Sequence, residues 1–163
     1  MRTVIGTAPP SGRVNPFVRL VRLGNTIVSF AGTIVGGLDA RGHVWNVSSS
    51  FLAVLVLAGL STACVTAGGN VLNDILDRRS DATNHPDRPL VTGAISVRSA
   101  HALATGLLIA AWVLIVPIVL AAPLLLPILA IAEGSVLTYE FRFKARGLAG
   151  NLLVALLTGL VFI

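Results

Sequence analysis

Between residues 70 and 90 the chain reads Asn70-Val-Leu-Asn73-Asp74-Ile-Leu-Asp77-Arg78-Arg79-Ser-Asp81, followed by Ala-Thr-Asn84-His85-Pro86-Asp87-Arg88-Pro89-Leu90. Four of the seven acidic residues fall in this stretch. On a helix, Asn70, Asn73, Asp74, Asp77 and Asp81 lie within about a 100° arc and make one polar stripe. Carboxylates at i, i+3, i+4 and i+7 repel one another, and near a bilayer they are costly unless something positive compensates them. A divalent cation does this best. Asp and Asn oxygens without paired His or Cys point to Mg²⁺ and away from Zn²⁺ or copper. Arg78, Arg79 and Arg88 add charge-assisted donors suited to phosphate oxygens. Spacing alone leaves three readings open: a magnesium-diphosphate site at a membrane surface, an ordinary solvated face of paired acids and arginines, and a cation-transport site.

The elements that carry this stripe are membrane spans. Of 163 residues, 55% are hydrophobic and 12% charged, and the mean hydropathy is +0.87. That composition excludes an ordinary water-soluble domain, a disordered chain and a disulfide scaffold, since Cys64 is the one cysteine. Charge-free runs such as 51–72 and 99–132 exceed the roughly 20 apolar residues needed to cross a bilayer. Apolar segments fall at 17–38, 50–72 running on to 81, 99–117, 123–139 and 148–163. The reading is therefore an all-α, polytopic membrane bundle of about five transmembrane helices. Pro117, Pro123 and Pro127 are expected to break the third long run into a tight helical hairpin. Residues 1–15 form a cytoplasmic tail without a secretory signal, and 16–163 form the transmembrane domain. The last segment reaches Ile163 with no polar flank, which reads as the front part of a longer bundle.

Eleven of the twelve Lys and Arg side chains lie on one side of these spans, and Arg41 stands alone on the other. The positive-inside rule places the amino terminus, the loop after span two and the loop after span four in the cytoplasm of a multi-pass cell-membrane protein. The basic balance thus needs no nucleic acid, and anionic lipid headgroups account for most of these arginines. Gly32 and Gly36, Ala63 and Ala67, and Gly68 suit close helix packing in lipid. His43, His85 and His101 read as interfacial, and Glu133 is an ionisable group within span four.

The pattern Asn73-x-x-x-Asp77-x-x-x-Asp81, followed by Asn84-x-Pro86-x-Arg88-Pro89-Leu90 and Gly93-x-Ile95-Ser96, resembles the first signature of the UbiA-type intramembrane prenyltransferases. Arg22-x-x-Asn25, Tyr139-x-x-x-x-Lys144 and Gly150-Asn151 each resemble a family position in the expected order. The resemblance runs from residue 16 onward. Gly69-Asn70 and the Asn-x-Pro-x-Arg-Pro tail are most similar to the archaeal digeranylgeranylglyceryl phosphate synthases of that family, and chlorophyll synthases share much of the tail. The resemblance implies a bundle of about nine transmembrane helices, with two Asp-rich motifs that bind Mg²⁺ and a prenyl diphosphate at the cytoplasmic side. One such motif is in these 163 residues, because Asp87, Glu133 and Glu140 are isolated. The chain therefore resembles the first five helices of the bundle.

What the resemblance implies for chemistry is transfer of a prenyl group, geranylgeranyl by this likeness, from its diphosphate to a membrane-lipid acceptor such as geranylgeranylglyceryl phosphate, or to an aromatic acceptor. Asp77 and Asp81 with Asn73 are expected to hold Mg²⁺, and Asp74 to share or support that shell. Arg78, Arg88 and Lys144 add donors to the leaving diphosphate. Asn25, Asn70, Tyr139 and Asn151 are the further substrate-binding candidates.

Overall fold

The computed structural model describes residues 14–41, 48–120, 123–143 and 152. Among them every regular element is helical. The order is α1 (Pro16–Leu20), α2 (Leu23–Ala40), α3 (Ser49–Leu76), α4 (Arg78–Asn84), α5 (Val97–Val119) and α6 (Leu125–Thr138), then one π-helical turn, Tyr139–Phe143. Two helices, α3 and α5, are long and apolar enough to cross a membrane; at 1.5 Å per residue they reach about 42 and 34 Å. The tail before residue 14 and the fifth apolar segment, apart from Leu152, lie outside the described residues.

Side-chain caps start the helices where the sequence supplies an oxygen. Asn15 Oδ1 accepts from Phe17 N at 2.9 Å, Ser48 Oγ from Phe51 N at 3.3 Å and Ser96 Oγ from Ser99 N at 3.0 Å, each meeting a donor that the first turn leaves unpaired. The expected first span is not one helix. It breaks at Val21 and Arg22, where Arg22 takes φ 51° and ψ 63°. Left-handed backbone costs a residue with a Cβ roughly 1–2 kcal/mol, so the surroundings must hold it. They do: the Val21 carbonyl, released from the helical ladder, accepts from Thr26 Oγ1 at 2.9 Å and from Asn70 Nδ2 of α3 at 3.1 Å.

The expected hairpin is present, but Pro117 does not make it. Pro117 lies inside α5, where it removes only the bond to the carbonyl four residues back. The helix ends at Val119, and Pro123 precedes α6. Pro127 falls in the first turn of α6, where no intrahelical donor is needed.

Helix α3 is the central element and packs chiefly on α5 and α2. A Cβ on Gly68 would meet Leu108 of α5 at 3.0 Å, one on Gly59 would meet Phe30 of α2 at 2.9 Å, and one on Gly69 would meet Val136 of α6 at 2.9 Å. The small residues of α3, with Ala63 and Ala67 buried, thus serve close packing as expected. Gly32 and Gly36 do not: a Cβ added at either would meet no atom within 4 Å among the described residues. Interhelical hydrogen bonds add to the packing, from Ser61 Oγ to the Ala111 carbonyl at 2.9 Å and between Ser29 and Thr66 hydroxyls at 2.8 Å. On the outer face of α5, Ile109, Val113, Val116 and Leu120 are exposed, an apolar stripe that suits lipid.

One core cluster sits directly beneath the polar stripe. It joins Leu20 of α1, Val71 and Leu72 of α3, Leu90 and Ile95 of the loop after α4, and Ala100 and Ala104 of α5. Leu90 is 2% exposed, so the loop that carries Arg88 is anchored in the core. Leu90→Ala is expected to cost about 2–5 kcal/mol. It should lower the melting temperature in detergent and speed amide exchange across residues 88–95.

Candidate active site

The carboxylates expected to need a positive partner have two of them. Asp74 and Asp81 are both buried at 4% exposure, two helical turns apart on the α3–α4 rod. Arg88 Nη1 donates to Asp74 Oδ1 at 3.0 Å and to Asp81 Oδ2 at 2.5 Å. Arg22 Nη2 donates to the same Asp74 Oδ1 at 2.7 Å. Two arginines and two aspartates therefore form a neutral, partly buried set. Asp74, expected to share the metal shell, has that oxygen occupied by two guanidinium groups.

The rod itself bends slightly at Asp77, which closes α3 and opens α4 with φ −82° and ψ −2°. The hydrogen-bond ladder continues across it: Asp77 N donates to the Asn73 carbonyl at 2.9 Å and Asp81 N to the Asp77 carbonyl at 2.8 Å. The predicted stripe therefore survives the bend. Its two edges differ. Asn70, Asp74 and Asp81 engage the α1–α2 break and Arg88, whereas Asn73 and Asp77 are half-buried along the other edge, each with an interaction of its own.

Arg88 is held in place through its backbone. Its carbonyl accepts from Val91 N at 3.0 Å, Thr92 N at 2.9 Å and Thr92 Oγ1 at 3.2 Å, and the Pro89 carbonyl accepts from Ile95 N at 3.2 Å. Gly93 has φ +75°, a turn conformation that glycine adopts without strain. Arg78, a predicted diphosphate donor, uses its Nε on the Leu90 carbonyl at 3.2 Å and so braces the same loop. Asn70, a predicted substrate residue, has its amide nitrogen on Val21. Arg19 and Asp87 form a further pair at 2.5 Å, both exposed, and such a pair contributes little.

The remaining predicted residues are spread more widely. Asn25 is exposed on α2, one turn beyond Arg22, and Tyr139 is half-buried where α6 passes into the π-helical turn. Lys144 and Asn151 lie outside the described residues. Arg41 caps the far end of α2, its guanidinium 4.6 Å from the Phe51 ring centroid, well away from the arginines that meet the stripe. Glu133 of α6 carries a buried carboxylate oxygen with no hydrogen-bond partner among the described residues. Sequence reasoning missed Arg22 as a partner of Asp74. The signal for it was a charged residue inside an apolar span.

Further along α3, the helices α2, α3, α5 and α6 line a half-open cavity of about 400 Å³, with Thr33, Thr62, Val65, Thr66, Ile115 and Leu129 among its walls. Thr66 lies eleven residues before Asp77 on α3, about 16 Å along the axis. An apolar chamber and a charged end thus share one helix. Among the described residues no three His, Cys, Asp or Glu side chains form a cage for a metal ion. The oxygen donors Asn73, Asp77 and Asp81 fit a hard cation of the kind that binds one or two carboxylates and completes its shell with substrate oxygens.

Comparison with known proteins shows what this chain is similar to. The chain is 35% identical over 147 residues to a digeranylgeranylglyceryl phosphate synthase of Metallosphaera sedula, covering 90% of this chain and 49% of that protein. It is 37% identical over 150 residues to the synthase of Methanoculleus marisnigri, covering 92% and 50%. The chain therefore spans about half the length of these curated relatives. A solved structure, described as giving structural and mechanistic insights into the biosynthesis of digeranylgeranylglyceryl phosphate synthase in membranes, superposes with a TM-score of 0.78 at 31% identity. It covers 90% of this chain and 50% of that one. The sequence profile of the UbiA prenyltransferase family matches residues 29–163. A membrane-suited helical bundle, an Asn-Asp stripe closed by arginines and this match over most of the chain have one reading: the chain belongs to the UbiA prenyltransferase family.

Proposed function

We propose that this chain forms the donor-binding half of an intramembrane enzyme that transfers a geranylgeranyl group from its diphosphate to a hydroxyl of geranylgeranylglyceryl phosphate. The observation that carries the reading is that α3 lines an apolar cavity along its middle and runs into an oxygen-rich edge at its α4 end. The names of the relatives support the acceptor. Aromatic and chlorophyll-type acceptors are the alternative within the same family.

Asn73, Asp77 and Asp81 would hold Mg²⁺. When bound, the ion neutralises charge on the departing diphosphate. The protein's own groups do the rest. Arg88 is proposed to offer a charge-assisted donor matched to phosphate oxygens, and Lys144 to add a second. Asn25, Tyr139 and Asn151 are proposed to orient the acceptor or the diphosphate. The C–O bond of the allylic donor breaks, its electron pair leaves with the diphosphate, the acceptor oxygen bonds to the freed carbon, and the hydroxyl proton passes to water or diphosphate. Residues such as Val65, Ile115 and Leu129 hold the isoprenoid tail and keep water from the electron-deficient carbon. The site is proposed to face the cytoplasm of a multi-pass membrane protein, a reading that the arginine distribution supports.

The test is transfer from labelled geranylgeranyl diphosphate in membranes, with the chain expressed alone and with the carboxyl-terminal half of the Metallosphaera sedula synthase. Asp77→Ala and Asp81→Ala should each lower turnover about a hundredfold or more. Undiminished turnover in both variants would overturn the metal assignment. Chelation should abolish transfer, and added Mg²⁺ should restore it. Arg88→Lys keeps the charge but loses the planar fork, and should raise the donor KM by about tenfold. Cation flux in liposomes without diphosphate release would replace the enzyme by a transporter.

A further inference from the structure

We infer that Arg22 and Asp74 are a positioning pair, standing behind the metal and diphosphate rather than touching them. The inference deepens the proposed reaction and rests on that reading for its kinetic arm. Asp74 is the most enclosed charge at the site, and its Oδ1 receives Arg22 at 2.7 Å and Arg88 at 3.0 Å. A carboxylate oxygen already accepting two guanidinium donors has no lone-pair direction left for a cation. Through this oxygen Asp74 acts on the two arginines.

The geometry gives each arginine a different task. Arg22 is the one non-glycine residue with positive φ among the described residues, and it sits where α1 gives way to α2. Left-handed backbone at a residue with a Cβ persists when its surroundings over-determine it. Here α3 supplies the determinants from one face: Asn70 takes the Val21 carbonyl, and Asp74, one turn on, takes the Arg22 side chain. The break is thereby locked to the stripe. Arg88 arrives separately, on its anchored loop, and Asp74 fixes the side chain whose same nitrogen also holds Asp81. The aspartate thus couples the α1–α2 break to the loop carrying the diphosphate donor. A loss at either end should misplace Arg88 or Asp81 without removing a metal ligand.

The experiment uses Asp74→Asn, Arg22→Gln, their double variant and Asp74→Glu, with Asp77→Ala as the comparison, in the co-expressed system and as purified chain in detergent. Amide exchange is read on the purified chain, with no substrate or metal. Asp74→Asn and Arg22→Gln should each speed exchange at residues 20–26 by about tenfold, Asp74→Asn should do the same at 88–92, and the double variant should add little to either single change. In the transfer assay both single variants should raise the KM for geranylgeranyl diphosphate by about tenfold. They should leave kcat less changed and the half-saturating Mg²⁺ concentration within about twofold. Asp77→Ala should shift that Mg²⁺ concentration by about tenfold and leave exchange at 20–26 as it was. Asp74→Glu, which keeps the charge, should recover part of the donor KM.

Equal shifts of the Mg²⁺ dependence in Asp74→Asn and Asp77→Ala would make Asp74 a metal ligand and overturn the inference. So would unchanged exchange at 20–26, or additive effects in the double variant. Should Asp74→Asn fail to fold, Arg22→Gln leaves Asp74 paired with Arg88 and carries the same readouts. Absence of transfer in the unsubstituted protein would count against the proposed reaction alone, because the exchange measurements decide the positioning role independently.

Discussion

A carboxylate buried at the end of an apolar helix has to meet a positive group, because desolvating an unpaired charge costs more than local packing can offset. Among the described residues Asp74 and Asp81 are the buried aspartates at this end, and both meet the guanidinium of Arg88. The rest of the polar end is arranged around that requirement. Arg88 must come from outside the helix, so the loop after α4 is drawn back over α3 and sealed by Leu90 and Ile95. Arg22 comes from the first span, at the point where that span is interrupted.

The result is a neutral set of four charges, which lets the site be half-buried without being silent. Two aspartates alone would repel and attract any cation, and two arginines alone would bind any anion. Together they satisfy one another. The neighbouring Asn73 and Asp77 belong to the same helical rod but lie on the other edge of the stripe, so one short segment presents two edges with different partners.

Below this end the chemistry of the helices changes completely. Small residues of α3 let α2, α5 and α6 approach closely, as packing in lipid favours, and where they diverge an apolar cavity opens. A helix with a charged end and an apolar cavity along its length suits a molecule with an anionic head and a hydrocarbon tail. The outward faces, rich in exposed Ile, Val and Leu, suit the same surroundings from the other side.

The sequence by itself determined the helical class, the long spans α3 and α5, the hairpin and the polar stripe. These follow from hydropathy and from a period of 3.6 residues, both of which are local. Its Asn-Asp pattern also pointed to the family that the comparison bears out. It did not show that Pro117 would be absorbed within α5, nor that Gly32 and Gly36 would meet open space while Gly59 and Gly69 do the packing, because either outcome depends on which neighbours arrive. Nor could it divide the stripe. Asp74 and Asp77 are three residues apart and chemically identical, and only the approach of Arg22 from the α1–α2 break and Arg88 from the loop separates them. Those contacts join residues 52 and 14 positions apart, and a separation of that kind is settled by packing in three dimensions, which no local pattern encodes.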